Sequence, residues 1–359
     1  MSNVATVMGF AAGVKDLPAT TAYVVGGITD TLVVLDISDP TNITLAGSYT
    51  SANINTAHAV AVDTTANIAY VVSLVSDSIT AIDVSDPSSM SELGSYTSAN
   101  LNAATNIALD VDSNVAYVTT AGTTFVSIDV SDPSSMSELQ SITGSTQGIG
   151  GNYGLSLDKT SSVVYLVSNS YDRITAIDVS NPSSMSVLGY LQDSLNIDGS
   201  DSITLNLLDS VAYVVAEDDD RFACIDISNP ASMSVLGSYT SANLDGANFV
   251  VFDPNTDVAY AFAQVSDTIS VVDVSNSSSP SEISSYTDAT KLAFVKGAAL
   301  DKIGAVLYAT STTGDTFTAF DISDNNSLSE LGSYSNLTYL NTPNGIALNR
   351  PPFATKAYE

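Results

Sequence analysis

Short runs of apolar residues, each four to six long and separated by Gly, Pro, Asn, Asp or Ser, recur along the whole chain. The clearest set is Ala59–Val62, Ile68–Val72, Ser78–Ile82 and Ser91–Tyr96. Runs this short, rich in Val, Ile, Thr and Tyr, predict β-strands and leave no room for a long helix. The first two runs are almost wholly apolar and predict strands covered on both faces. The fourth, Ser91-Glu-Leu-Gly-Ser-Tyr96, alternates with polar residues and predicts an outer edge strand, whose charges and serines discourage pairing with another chain.

The four-run unit repeats. An apolar residue, aliphatic in all but the last copy, followed by Asp-[Ile/Val]-Ser-[Asp/Asn], usually with Pro next, occurs seven times, with its aspartate at Asp36, Asp83, Asp129, Asp178, Asp226, Asp273 and Asp321. Successive copies lie 46 to 49 residues apart. Asp and Asn side chains bond nearby backbone N–H groups and Pro cannot extend a ladder, so the motif predicts a turn at the end of the third strand. Seven equivalent copies point to a structural role, with calcium the cation that such oxygens would suit. Four strands per unit and seven units predict an all-β, seven-bladed β-propeller of four antiparallel strands per blade.

Tyrosines follow the same period. One stands in every second strand, at Tyr23, Tyr70, Tyr117, Tyr165, Tyr213, Tyr260 and Tyr308; another ends the fourth, at Tyr49, Tyr96, Tyr190, Tyr239, Tyr286 and Tyr334, with Ile142 in its place in the third copy. A position repeated in every unit serves packing first, the ring between blades and the hydroxyl on a polar partner. After the seventh unit, Asn344-Gly-Ile-Ala-Leu-Asn349 matches a first strand better than Gly9-Phe-Ala-Ala-Gly13 does. The C-terminal strand is therefore expected to complete the first blade and close the ring. The whole of 1–359 reads as one propeller domain, with 1–20 and 351–359 outside the regular blades.

Composition narrows the partners. Nine Lys and Arg against 39 Asp and Glu give a net charge of −30, which repels phosphate backbones and anionic lipid, so neither nucleic acid nor direct membrane insertion is expected. The segment Met1–Phe10 lacks a basic start followed by an apolar stretch, and no long apolar run occurs, so neither a secretory signal nor an anchor is expected. The one cysteine, Cys224, has no partner for an internal disulfide and reads as a small buried hydrophobe. Trp and the Trp-Asp signature are absent, which argues against a WD-type scaffold.

Thr31-Leu-Val-Val-Leu-Asp-Ile-Ser-Asp-Pro40 and Ile79-Thr-Ala-Ile-Asp-Val-Ser-Asp-Pro87 resemble the LVIVD-repeat β-propellers, a family of microbial and archaeal surface or extracellular proteins. The resemblance covers essentially the whole chain. It implies the propeller fold and an exterior location, and offers no catalytic residues to carry over.

Three sets of residues remain as candidates for chemistry. Aligning the first strands puts His58, Thr105, Tyr153, Asp201, Asn248, Lys296 and Asn344 at one position just before each strand. That position is polar and varied, and would ring one mouth of the central channel as a ligand site for a glycan or small solute. The acidic run Glu217-Asp-Asp-Asp220 reads as a solvated hairpin, with a calcium site as the alternative. Asp110-Val-Asp-Ser-Asn114 lacks the glycine and distal Glu of a calcium loop and reads as a turn.

His58 is the sole histidine, and one histidine with one cysteine cannot build a three- or four-ligand zinc site. The leading expectation is a non-enzymatic exterior structural or adhesive subunit, of a virus particle or a microbial surface or extracellular assembly, associating with itself or with other structural proteins. A channel-mouth binding module comes second, and a hydrolase or lyase dependent on His58 or a bound cation last.

Overall fold

The computed structural model describes residues 19–144 and 149–349. Expectations for 1–18 and 350–359 lie outside the described residues. The described residues form seven four-stranded antiparallel sheets, which are seven propeller blades. In blades 2 to 7 the four strands follow one another in sequence and in space; blade 2 runs Ala57–Asp63, Ile68–Ser73, Ser78–Asp83 and Ser91–Thr97.

Blade 1 is assembled from both ends of the described chain. Its inner strand is Pro343–Leu348, paired antiparallel with Thr21–Gly26, which is followed by Thr31–Asp36 and Thr44–Thr50. Closure by the C-terminal strand is therefore as the repeat alignment expected. It completes blade 1 to the same four strands as the others.

The burial differs from the expectation in one respect. The second and third strands are the ones covered on both faces: Val211–Ala216 and Val163–Ser168 are buried at every position. Inner strands such as Ala57–Asp63 and Ser200–Asn206 are only partly covered. They line the channel, so one face of each meets solvent-accessible space and not another blade. Outer strands alternate exposed and half-buried residues, as in Ser91–Thr97.

Between adjacent blades lie separate apolar clusters, for example Tyr213, Phe222, Cys224, Leu244, Val250 and Phe252 joining blades 5 and 6. Second-strand tyrosines fill these seams and extend their hydroxyls into the next blade: Tyr70 reaches Val130 O at 3.4 Å and Tyr260 reaches Asn325 Oδ1 at 2.6 Å. Cys224 is buried, and desolvation pushes its thiol up to about 12.

The repeat aspartates end the third strands. Each accepts from the backbone N–H two residues on, Ser38 to Asp36, Ser85 to Asp83, Ser131 to Asp129, Ser180 to Asp178, Ser228 to Asp226, Ser275 to Asp273 and Ser323 to Asp321, at 2.8 to 2.9 Å. This is the turn that the motif predicts.

Candidate functional site

Each inner strand carries one extra residue near its start. In blade 2, Ala57 pairs with Ser73 and Ala59 with Val72, so His58 has no partner across the ladder. The same slip leaves out Thr105, Asp201, Asn248 and Lys296, and in blades 4 and 1 it spans Tyr153-Gly154 and Asn344-Gly345. The seven aligned residues are thus β-bulge residues inside the strands, at their second position, and not residues preceding them. A bulge re-aims a side chain that would otherwise follow the strict alternation of the pleat.

The bulges are set up by the residue just ahead of each inner strand, two places before the bulge residue. Thr56, Ala103, Gly151, Gly199, Gly246, Phe294 and Thr342 all have positive φ, and each carbonyl accepts from the first residue of its own blade's second hairpin: Leu74, Ala121, Asn169, Glu217, Gln264, Thr312 and Gly27. The preceding blade adds an aspartate that caps the N–H of the positive-φ residue: Asp30 for Thr56 at 2.7 Å, Asp77 for Ala103 at 2.8 Å, Asp220 for Gly246 at 3.0 Å and Asp315 for Thr342 at 2.8 Å.

Asp220 therefore belongs to this repeated clamp, which separates it from Glu217. Glu217 accepts from Gln264 Nε2 and lies beside Asp201. Asp218 is exposed, while Asp219 lies nearer Asp198 and Arg221. The structure thus divides the acidic run among different environments. No group of three or more His, Cys, Asp or Glu that could hold a metal ion occurs among the described residues.

His58, Thr105, Asp201, Asn248 and Lys296 line one cavity of about 130 Å³, together with Asn106 and Phe249. Thr105 and Asn248 are only 1% and 4% exposed, which the reading of a variable surface position did not foresee. Asn344 sits at the same ring but spends its Nδ2 on Ala57 O at 3.0 Å. The Tyr153 side chain lies outside the described ones. A wider depression of about 610 Å³ opens at the other ends of the inner strands, walled by Leu205, Phe252, Leu300, Ile346 and Leu348; its lining is largely apolar.

The polar network at the smaller cavity runs across four blades. Asn169 Nδ2 donates to Asp201 Oδ1 at 3.0 Å, Asp201 meets Glu217, and Gln264 Nε2 donates to Glu217. Asn248 Nδ2 then donates to Gln264 Oε1 at 3.2 Å and to Val295 O at 2.6 Å. Asn248 Oδ1 is buried and receives no hydrogen bond. A buried acceptor without a donor costs about 1–3 kcal/mol, so it marks a place where another molecule would be welcome.

Burial raises Asp201 to about 7, against the lowering effect of the Lys296 charge, and the neighbouring Glu217 raises it further. His58 Nδ1 lies 2.6 Å from Thr105 O, which only accepts, so Nδ1 carries the proton and Nε2 keeps its lone pair. Burial, with the Lys296 charge as a smaller contribution, lowers its pKa and keeps the ring neutral.

Gln264 and Asn169 escaped the sequence reading, and Glu217 entered it only within the acidic run, not as a neighbour of Asp201. They occupy one repeat position, immediately after the second strand, where the other blades have Gly27, Leu74, Ala121 and Thr312. A second aligned column, polar in four consecutive blades, was the available signal.

The fold is shared by solved structures of low sequence identity. A functionally unknown protein from Desulfotomaculum acetoxidans matches with a TM-score of 0.73 at 13% identity, over 92% of this chain and 99% of its own. A Lactobacillus plantarum protein matches with a TM-score of 0.75 at 14% identity, over 91% and 99%. The periplasmic gluconolactonase of Pseudomonas aeruginosa matches with a TM-score of 0.72 at 10% identity, over 91% and 98%. At these identities the likeness is one of fold alone. No curated protein matches the sequence.

The LVIVD repeat model matches residues 22–51, 58–98, 104–143, 167–193, 210–241 and 259–288, one stretch in each of blades 1 to 6. Blade 7 keeps the motif aspartate Asp321 and the strand order of the others. Seven blades of one design, six of them matched by the same repeat model, place this chain in the LVIVD repeat family.

Proposed function

We propose that this propeller is a non-enzymatic binding module that holds a small polar solute in the channel mouth ringed by the bulge residues. One observation carries the reading: His58, Asp201, Asn248 and Lys296 converge on one cavity, and the Oδ1 of the cavity-lining Asn248 is buried without a hydrogen-bond partner. Small-molecule sites are concave, with a few convergent polar groups fixing orientation, and this cavity has that form. The scaffold beneath is rigid, since the ring residues sit in hydrogen-bonded strands and not on long loops.

The test is a thermal-shift screen of purified protein against sugars, amino acids, carboxylates and polyamines. At a ligand concentration of 100 Kd, binding adds about 2.7 kcal/mol of stability. We expect at least one stabilising class, with stabilisation lost in Asp201→Asn. A screen in which nothing stabilises the protein, or in which Asp201→Asn responds like the parent, would overturn the reading.

A second reading is an exterior structural or adhesive subunit, on a microbial surface or a virus particle. It draws on apolar tips of the hairpins around the same mouth, where Ile28, Val75 and Val265 are 67%, 58% and 59% exposed. Exposed apolar residues clustered on one face suit contact with another protein. Light scattering separates the readings: regular assemblies favour the subunit, and a monomer at all concentrations argues against it.

A further inference from the structure

We propose that the solute is a small zwitterion, its ammonium seated at Asp201, which Glu217 backs, beside Asn248, and its carboxylate on Lys296. This rests on the binding reading above and names the chemical class of the ligand.

The donors and acceptors at the cavity do not balance. Asp201 lines the cavity with Glu217 behind it, and Asn248, which also lines it, has its buried Oδ1 without a donor. The amides facing them are already engaged: Asn169 with Asp201, Gln264 with Glu217, and Asn248 Nδ2 with Gln264 and Val295. Two carboxyls in contact cannot both be charged without a cation or a shared proton between them. With Asp201 raised to about 7, the empty site keeps a proton at pH 6, and an arriving ammonium would take its place and release it to solvent.

Lys296 decides against a simple amine. Its side chain lines the same cavity, and its charge is felt at both Asp201 and His58. Yet it makes no ion pair among those found in the described residues, which join Lys159 to Asp110 and Asp112 and Lys291 to Glu330. A cation alone would be repelled by Lys296, and an anion alone by the carboxyl pair. A neutral sugar would satisfy the acceptors and leave the ammonium of Lys296 unmatched. Opposite charges on one short skeleton answer both ends.

Size agrees with this. A cavity of about 130 Å³ is close to the roughly 150 Å³ that encloses a benzene ring, or about six heavy atoms. The smallest amino acids fall in that range.

The experiment is calorimetric titration of the full chain at pH 6 with glycine, alanine, β-alanine and γ-aminobutyrate, against ethylamine, acetate and glucose, in two buffers of different ionisation enthalpy. We expect one zwitterion to bind at least ten-fold more tightly than ethylamine, acetate or glucose, with buffer-dependent heat reporting proton release. Lys296→Gln should weaken that zwitterion about ten-fold and bring it level with ethylamine. Asp201→Asn, a near-isosteric change that preserves the ring, should abolish the proton release.

Equal or tighter binding of glucose, acetate or ethylamine would overturn the zwitterion while leaving the site standing. Binding without proton release, or unchanged in Lys296→Gln, would also overturn it. If no titrant binds, the zwitterion falls, and the broad solute screen decides whether the binding reading falls with it.

Discussion

Aspartates in this chain titrate in two opposite senses. Asp36, Asp83, Asp178, Asp226 and Asp273 are held below the ordinary carboxylate value by hydrogen bonds from the serine hydroxyl and then the N–H two residues on; at Asp129 the N–H contributes first. A lowered folded pKa stabilises the fold above the unfolded value near 4, and that stability is lost as pH falls through the folded value. Asp201 is raised to about 7, first by burial. Its contribution is full below about pH 4 and is lost as pH rises towards 7.

Urea midpoints measured from pH 3 to pH 8 should therefore peak between about pH 4 and pH 6. Asp201→Asn should flatten the neutral side by an amount on the order of 2 kcal/mol. A midpoint that keeps rising to pH 8 would contradict the assignment. The repeat motif made the first population legible, because an Asx turn is local. Asp201 and Glu217 stand 16 residues apart in sequence, one on a bulge and one on a hairpin, so their contact required the fold.

Strand by strand, the outer edges meet their neighbours through a missing side chain. The outer-strand glycines Gly94, Gly189, Gly237 and Gly332, like Gly47 against Pro87, lie against the turn after the third strand of the next blade. A Cβ there would come within 2.5 Å of Pro133 O, 2.7 Å of Ala231 Cα, 2.6 Å of Ser278 C and 2.7 Å of Pro40 O respectively. Blade 3 has Gln140 at this place, bonding both the N–H and the carbonyl of Met185, and blade 6 has Ser284, bonding Asn325 O at 2.6 Å.

Backbone cannot yield easily to an added methyl, so Gly237→Ala should cost about 1–3 kcal/mol in urea unfolding. Gly122→Ala, whose nearest contact would be Thr120 Oγ1 at 3.5 Å, should stay within about 0.5 kcal/mol of the parent. Equal effects at the two positions would refute close approach between blades. The sequence displays this glycine column plainly, but its reason lies in another blade's turn, which no single repeat contains.

At the scale of the ring, closure depends on Pro343–Leu348 pairing with Thr21–Gly26. The same strand is tied to blade 7 by Thr310 Oγ1 donating to Asn344 O at 2.6 Å and to blade 2 by Asn344 Nδ2. A chain ended after Asn341 leaves Thr21–Gly26 as a bare edge and opens two seams. We expect its melting temperature to fall by about 10 °C or more, followed by circular dichroism, with partial recovery on adding a peptide spanning 342–349. Melting unchanged from the parent would mean that the ring holds without its closing strand.

Closure was legible because the C-terminal segment keeps the inner-strand pattern. The division of burial among the four strands was not, because an apolar run lining a channel reads the same as one covered on both sides.

The extra residue in every inner strand also bears on how such a molecule changes over generations. A duplicated blade inherits its turns, seams and ladder as one working unit, together with a single side chain that the ladder does not use. Drift at that spot leaves the copy able to fold, and drift at almost any other inner position does not. Six successive duplications of one blade thus leave a circle of seven letters at one place in the frame, which selection can respell without rewriting the frame around them.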